Sequence, residues 1–232
     1  AFVFGLKSFG DKKLIENVPT SKIRSLAMGL VEVYGTIVPF EKVVLSSPFT
    51  NKDCVYYDYK IEEERGSGKN RHWVTIKHET KMQNFFVRDE TAQVVVDPRG
   101  AKMDVPESFY FGSGMFKDPP VEVKNFLAAN SLGFEGWFGI NRSMRFVEHA
   151  LFLDQKVFVM GEAMDNPLVE EGTAKAGIED VIIGKGQNEK FFLISNKSEK
   201  DVLKNMSFAA YGGVIVGILL VALGLFLLFV AP

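Results

Sequence analysis

The longest apolar run lies near the C-terminal end, where Phe208 to Val230 reads FAAYGGVIVGILLVALGLFLLFV without a charged side chain. As a helix rising about 1.5 Å per residue, such a run crosses a hydrocarbon core of roughly 30 Å. A helix suits that setting because it satisfies its backbone groups internally, where no water can do so. The run therefore predicts a transmembrane anchor, with Tyr211 near its entry side. Ahead of it, Ser198-Glu199-Lys200-Asp201 carries a helix-start signature: a hydroxyl able to accept from first-turn N–H groups, and two acids at the positive end. Val202, Leu203 and Met206 continue an apolar stripe, so residues 198–231 are expected to form one juxtamembrane and transmembrane helix.

Upstream the period changes. Cys54 to Glu64 alternates, which predicts a strand with Val55, Tyr57, Tyr59 and Ile61 on one face. Arg65 to Asn70 supplies a hairpin loop and Trp73 to His78 the returning strand. Phe85–Val87 and Thr91–Val96 pair across Asp89-Glu90, with Asp97-Pro98 as a stop. Further strands are expected at 30–39, 42–46, 144–151, 156–160, 180–183 and 191–195. Two short helices are expected. One spans about Ser21 to Ala27 and ends at Gly29. The other opens at Asp118-Pro119, with Val123, Phe126 and Leu127 on one face and Gly133 after its end. The predicted class is α+β and strand-rich: a barrel- or sandwich-like soluble domain over 15–197 with short helices, plus the C-terminal transmembrane α-helix. Residues 1–14 read as the end of a first membrane helix, as the start of an exported chain, or as an N-terminal strand.

Composition narrows the chemistry. With 27 basic and 29 acidic side chains the net charge is −2, which gives no sign of a nucleic-acid partner. One cysteine, Cys54, excludes an internal disulfide framework and a cysteine-based zinc finger within these residues. His72 and His78, six apart on one expected strand, would share a face near Cys54. They lack metal-ligand spacing and read as exposed strand histidines, so neither a metal nor a cofactor is implied. His149 would point away from the neighbouring Glu148, which leaves no catalytic pair. Glu62, Glu63 and Glu64 read as a solvated strand end, and Gly112-Ser113-Gly114 and Gly184-Lys185-Gly186 as turns. No catalytic constellation emerges.

Two features point instead to contacts. Ala210, Gly213, Gly217 and Gly224 line one side of the expected anchor, and Gly213 and Gly217 form a G-x-x-x-G pair. Such a pair lets helix backbones approach closely, although glycine is also common in membrane helices for other reasons. Residues 132–140 carry Phe134, Trp137 and Phe138 among three glycines. That loop dips into the headgroup region, docks on a neighbouring subunit, or folds over its own core.

Several segments together resemble a known family. They are Glu16 to Ser25, Gly29 to Gly35, Ser47-Pro48-Phe49 with Asp53 to Tyr59, the glycine-containing hairpin with Trp73, Val94 to Ala101, Arg145 to Leu151 and Lys156 to Ala163. In this order they are similar to the GIDE, or "beside a membrane", domain. The resemblance implies a domain lying between two membrane helices, as in mitochondrial and chloroplast membrane ubiquitin ligases, where a RING finger follows. One cysteine and three histidines cannot build the two zinc sites of a RING, so these residues resemble the membrane-side domain alone. Lys197, Lys200 and Lys204 place the domain side in the cytoplasm by the positive-inside rule, whereas the family precedent places it on the non-cytosolic side.

The sequence thus predicts an integral membrane protein of a prokaryotic cell membrane or an organelle. Its expected role is a non-catalytic scaffold or partner-binding protein, contacting lipid, further copies of itself and an unidentified protein. The alternatives are a membrane module of a ubiquitin-ligase-like system whose RING lies on another chain, and a membrane-bound hydrolase.

Overall fold

In the computed structural model, residues 10, 12–40, 42, 44–115, 117–133, 142–167, 180–186, 191–198, 200–204, 207, 216 and 220 are described. The apolar alternation of β1 (Gly29–Pro39) turns Val31, Val33 and Ile37 to one side. The same period in β5 (Phe85–Arg88), β6 (Gln93–Val96) and β10 (Lys156–Asp165) does the same for Phe85, Val87, Val94, Val96, Val157 and Val159. Burying these rows against one another rolls the strands together. β1 pairs with β5, β5 with β6, β6 with β11 (Val181–Gly184), β11 with β10 and β10 again with β1, closing a five-stranded barrel. A closed ring of five leaves little interior room. Gly35 and Gly161 answer that need, since a Cβ at Gly35 would lie 2.5 Å from the Arg88 carbonyl oxygen and one at Gly161 2.7 Å from the Phe192 ring.

β10 has two partners on its far edge, β11 toward its C-terminal end and β12 (Leu193–Ser195) nearer its start. β7 (Lys102–Asp104) adds to β12 in parallel. Residues 12–17 are helical, as are residues 200–204, and both pack on the outside of this region. Ile15 and Val202 are buried there with Phe158, Met160 and Leu193. β10 is therefore covered on both faces, which explains its unbroken apolar stretch Val157–Met160.

The second sheet is organised around the long β3 (Asp53–Arg65). β2 (Leu45–Ser46) and β4 (His72–Met82) lie on one of its edges, then β9 (Met144–Phe152) and β8 (Glu107–Ser113) on the other. One face is covered by α1 (Val121–Ala129), whose Val123 and Leu127 are buried against Phe49, Tyr57, Tyr59, Ile61 and Phe146. Phe49 is the hub of this core, with ring centroids 5.3–5.8 Å from those of Tyr59, Phe109, Phe126 and Phe146.

The strand-rich class and its barrel follow the expected pattern, and several local expectations are corrected. Val55 does not share a face with Tyr57. The β3–β9 register shifts between Cys54 and Tyr56, so Val55 and Tyr56 enter the barrel core while Cys54 and Tyr57 enter the α1 core. The expected helix at 21–27 is a single 3-10 turn, Ile23–Ser25, held from outside: Asp89 accepts from the Ile23 N–H at 2.9 Å and Thr91 from the Arg24 N–H at 3.1 Å. α1 starts after Pro120 rather than at Asp118, whose carboxylate instead takes Lys124 at 2.6 Å. As expected, it ends before Gly133: Ser131 adopts φ 55°, and the Leu132 N–H returns to the Leu127 carbonyl at 2.9 Å. Gly112-Ser113 lies within β8, not in a free turn.

The expected anchor, Phe208–Val230, lies outside the described residues except for Val216 and Leu220, and Ser207 just precedes it. Ser207 donates to the Leu203 carbonyl at 2.7 Å, and Val216 and Leu220 are helical and exposed. Among the described residues no helix is long and apolar enough to cross a membrane. Ala210, Gly213, Gly217 and Gly224, and Phe134, Trp137 and Phe138 of the aromatic loop, all lie outside them. Ahead of helical residues 200–204 the expected cap is present: Ser198 Oγ accepts the Asp201 N–H at 3.3 Å and donates to its carboxylate at 2.7 Å.

Candidate functional site

The face of the second sheet turned away from α1 is polar, and strand register sets its rows. Thr80, Asp58, His149 and Glu107 align across β4, β3, β9 and β8. His78, Lys60, Val147 and Tyr110 form the next row, and Thr75, Glu62, Arg145 and Gly112 the third. These rows enclose a shallow groove of about 310 Å³.

Glu62 is the electrostatic centre of the groove. Its side chain is only 6% exposed; Arg145 Nε donates to one oxygen and Lys60 Nζ stands 2.7 Å from the other. Arg145 in turn stacks 4.5 Å from the centroid of the Trp73 ring. The hydrogen bond from Arg145, with help from Lys60 and against the effect of burial, holds the Glu62 carboxyl down to about 2. Beside this stack, His78 Nε2 is 2.8 Å from Asp58 Oδ2, which also accepts from the Thr80 hydroxyl at 2.5 Å. A carboxylate held ionised and a guanidinium that never titrates cannot exchange protons near neutrality, so the stack suits recognition rather than acid–base chemistry. Exposed Trp73 and Tyr110 beside Arg145 are the residue types that anchor protein contacts.

The expectation of a solvated strand end at Glu62–Glu64 is thus overturned. Glu62 is buried, and Glu63, 12% exposed, receives Arg65 at 2.9 Å and Arg142 at 3.2 Å. The signal was in the sequence, because the alternation that turns Tyr57, Tyr59 and Ile61 inward must gather Asp58, Lys60 and Glu62 on the other face. Its missing half was Arg145, which only strand pairing supplies.

A larger cleft, about 500 Å³, opens between α1, the 46–51 turn and β4. Tyr57, Glu79, Lys81 and Asn125 line it. Burial of Glu79 opposes ionisation, yet Lys81 at 3.1 Å and the Tyr59 hydroxyl at 3.2 Å hold its carboxyl below the usual range. Burial pushes the Tyr57 and Tyr59 hydroxyls up. Each of these groups is biased away from proton exchange near neutrality.

The remaining reactive side chains are engaged in structure. Glu148, fully buried, accepts the Phe49 N–H at 2.7 Å and the Thr50 hydroxyl at 3.0 Å, fastening the turn that carries Phe49. His149 points the other way, with Nδ1 2.9 Å from the Val105 carbonyl oxygen. Ser113 donates to the Arg142 carbonyl at 3.0 Å and accepts the Met144 N–H at 3.2 Å. Cys54 is buried, and its thiol is pushed up to about 12 by that burial and by the Glu148 and Asp53 carboxylates. His72 and His78 do not share a face, because the register skips Ile76 between the Ile61–Lys77 and Glu62–Thr75 pairs. Among the described residues no three His, Cys, Asp or Glu side chains converge as a metal site.

The chain matches no curated protein and no solved structure. A family model does match it: the one for GIDE, described as E3 ubiquitin ligase, over residues 56–229. That span takes in most of β3, the polar face and α1, well over half of the residues, and the chain therefore belongs to the GIDE family.

Proposed function

We propose that this GIDE protein is a membrane-anchored, non-catalytic scaffold that binds partner proteins and self-associates at the membrane. The observation that carries the reading is the clamp on β10. Helical residues 12–17 and 200–204 meet on one outer face of the barrel, so the chain enters and leaves the domain from the same side. Together with the uncharged run Phe208–Val230, this supports a domain held close to a bilayer. Val216 and Leu220, exposed one helical turn apart, suit a lipid-facing stripe. The engagement of Glu148, Cys54 and Ser113 in folding supports a binding role over a hydrolytic one.

Native mass of the complex, extracted gently from its own membrane, tests this. Two or more copies of the 25.9 kDa chain per complex support self-association, and a single copy without other proteins would refute the scaffold reading. Gly213→Leu with Gly217→Leu should lower the mass if the anchor contributes; unchanged assembly would remove that detail. The family description supports a second reading, a membrane module of a ubiquitin-ligase-like system with its RING on another polypeptide. Co-purification of a RING protein would favour it.

A further inference from the structure

The rows of the polar groove differ in charge. In the first, Asp58 and Glu107 place two carboxylates on either side of His149. Asp58 is met by the His78 ring and the Thr80 hydroxyl, while Glu107 is exposed and makes no ion pair among the described residues. In the second and third rows two cations, Lys60 and Arg145, share the single carboxylate of Glu62. Arg145 gives Glu62 only its Nε. Its two Nη groups meet no acceptor among the described residues, and the Trp73 ring holds the guanidinium flat. Glu64, in the row of Trp73, is drawn off by Arg71 at 3.8 Å. Val147 and Tyr110 lie between the two ends. The groove is thus negative at one end, positive at the other and apolar in the middle.

We propose that this groove docks an extended segment of a partner protein that carries a basic and an acidic side chain four residues apart and an apolar one midway. The proposal rests on the partner-binding reading above and names what the partner must present. Spacing sets the pattern. From Asp58 to Glu62 is about 13 Å at roughly 3.3 Å per residue, and an extended segment turns its first, third and fifth side chains to one face over the same length. Its acid then accepts from both Nη groups of Arg145, with Lys60 beside them, while its base lies between Asp58 and Glu107. Its middle side chain rests on Val147 and Tyr110. Arg145 is already fixed by Glu62 and Trp73, so little freedom is lost when it binds. A carboxylate fits better than a phosphate, because a planar monoanion matches the two Nη groups and a dianion would face the ionised Glu62 with twice the charge.

Peptide binding to the full chain in detergent tests the pattern, read by fluorescence anisotropy. The probes are Lys-Ser-Val-Ser-Glu and Glu-Ser-Val-Ser-Lys, each labelled at one end and blocked at the other, since the segment can run in either direction. One of them should bind. Glutamine in place of its glutamate should weaken it about tenfold, the loss of a charged hydrogen bond. Moving the glutamate next to the lysine, with composition unchanged, should weaken it comparably, because the two charges then point to opposite faces. Glu107→Gln, at an exposed position that leaves near-ultraviolet circular dichroism unchanged, should weaken the lysine peptide about threefold and leave its norleucine analogue unaffected. Equal binding of the spaced and rearranged peptides, or none by either, overturns the groove. If that happens while the native complex still holds a second protein or further copies, the scaffold reading survives. A bare single copy that binds the spaced peptide keeps the groove and refutes the scaffold.

Discussion

Replacing Glu148 separates the contribution of its charge from that of its shape. The carboxylate is wholly buried and reaches across the sheet to a turn that is remote in sequence, taking the Phe49 N–H at 2.7 Å and the Thr50 hydroxyl at 3.0 Å. Glu148→Gln keeps one acceptor, which can still take the Phe49 N–H, while the Thr50 hydroxyl can turn toward Ser47. The loss is then the difference between a charged and a neutral hydrogen bond, about 1 kcal/mol. Glu148→Leu leaves the Phe49 N–H buried without a partner, costing about 2–3 kcal/mol after the relief of burying a charge. For a chain of this size each kcal/mol lowers the melting temperature by about 2–4 °C. The expected order is therefore wild type, Glu148→Gln about 3 °C lower, and Glu148→Leu about 8 °C lower. Phe49→Ala sets the scale of the turn's full loss at about 3–5 kcal/mol, since that ring touches four others. Near-ultraviolet circular dichroism during thermal unfolding follows the aromatic cluster, and hydrogen exchange at the Phe49 amide reports the turn itself. If Glu148→Leu melts with wild type and its Phe49 amide exchanges no faster, the carboxylate does not hold the turn.

Acid should loosen the fold through Glu62 and Asp89. Burial alone would raise Asp89, but the Ile23 N–H, the Thr91 hydroxyl and the Ala92 N–H bring it down to about 2, as Arg145 does Glu62. Both carboxyls lie below their unfolded values of about 4.5 or less, so their stabilisation is complete above that pH and is lost as pH falls toward about 2. Arg145→Met should flatten part of this acid limb in a pH titration of melting temperature, and an unaltered limb would contradict the pairing. Gly35→Ala should cost about 1–3 kcal/mol by crowding the Arg88 carbonyl, measured by denaturant unfolding. The Cys54 thiol should resist maleimide at pH 8 in the folded chain and react once denaturant is added, because burial holds it near 12.

How legible the fold was depended on whether the responsible partner was near in sequence. β1, β5, β6, β9 and the β3–β4 hairpin follow from alternation and turn residues alone, as does the Ser198 cap. What escaped was set by distant contacts. The stretch 21–27 has helical residues, but Asp89 and Thr91 bind its first N–H groups and leave a single turn. β7 and β8 were hidden because three residues of β7 are too short to show a period, and Gly112-Ser113 looked like a turn until β9 paired with it. Bulges erased two inferred faces, one splitting Val55 from Tyr57 and the other splitting His72 from His78. The Glu62–Arg145–Trp73 stack draws on three strands, and no local window contains all three.

The barrel also has a timetable. β1, β5 and β6 emerge early in synthesis, yet the outer edge of β6 waits for Val181–Gly184 and Gly29–Thr36 of β1 for Lys156–Asp165. Until then three valine-rich strands form an open sheet with its inner face bare, the kind of long-range closure that is slow and exposed to misassembly. The strands that seal it are nearly the last residues made before the apolar run begins at Phe208. The barrel is therefore complete only once the chain has been made almost to the start of that run.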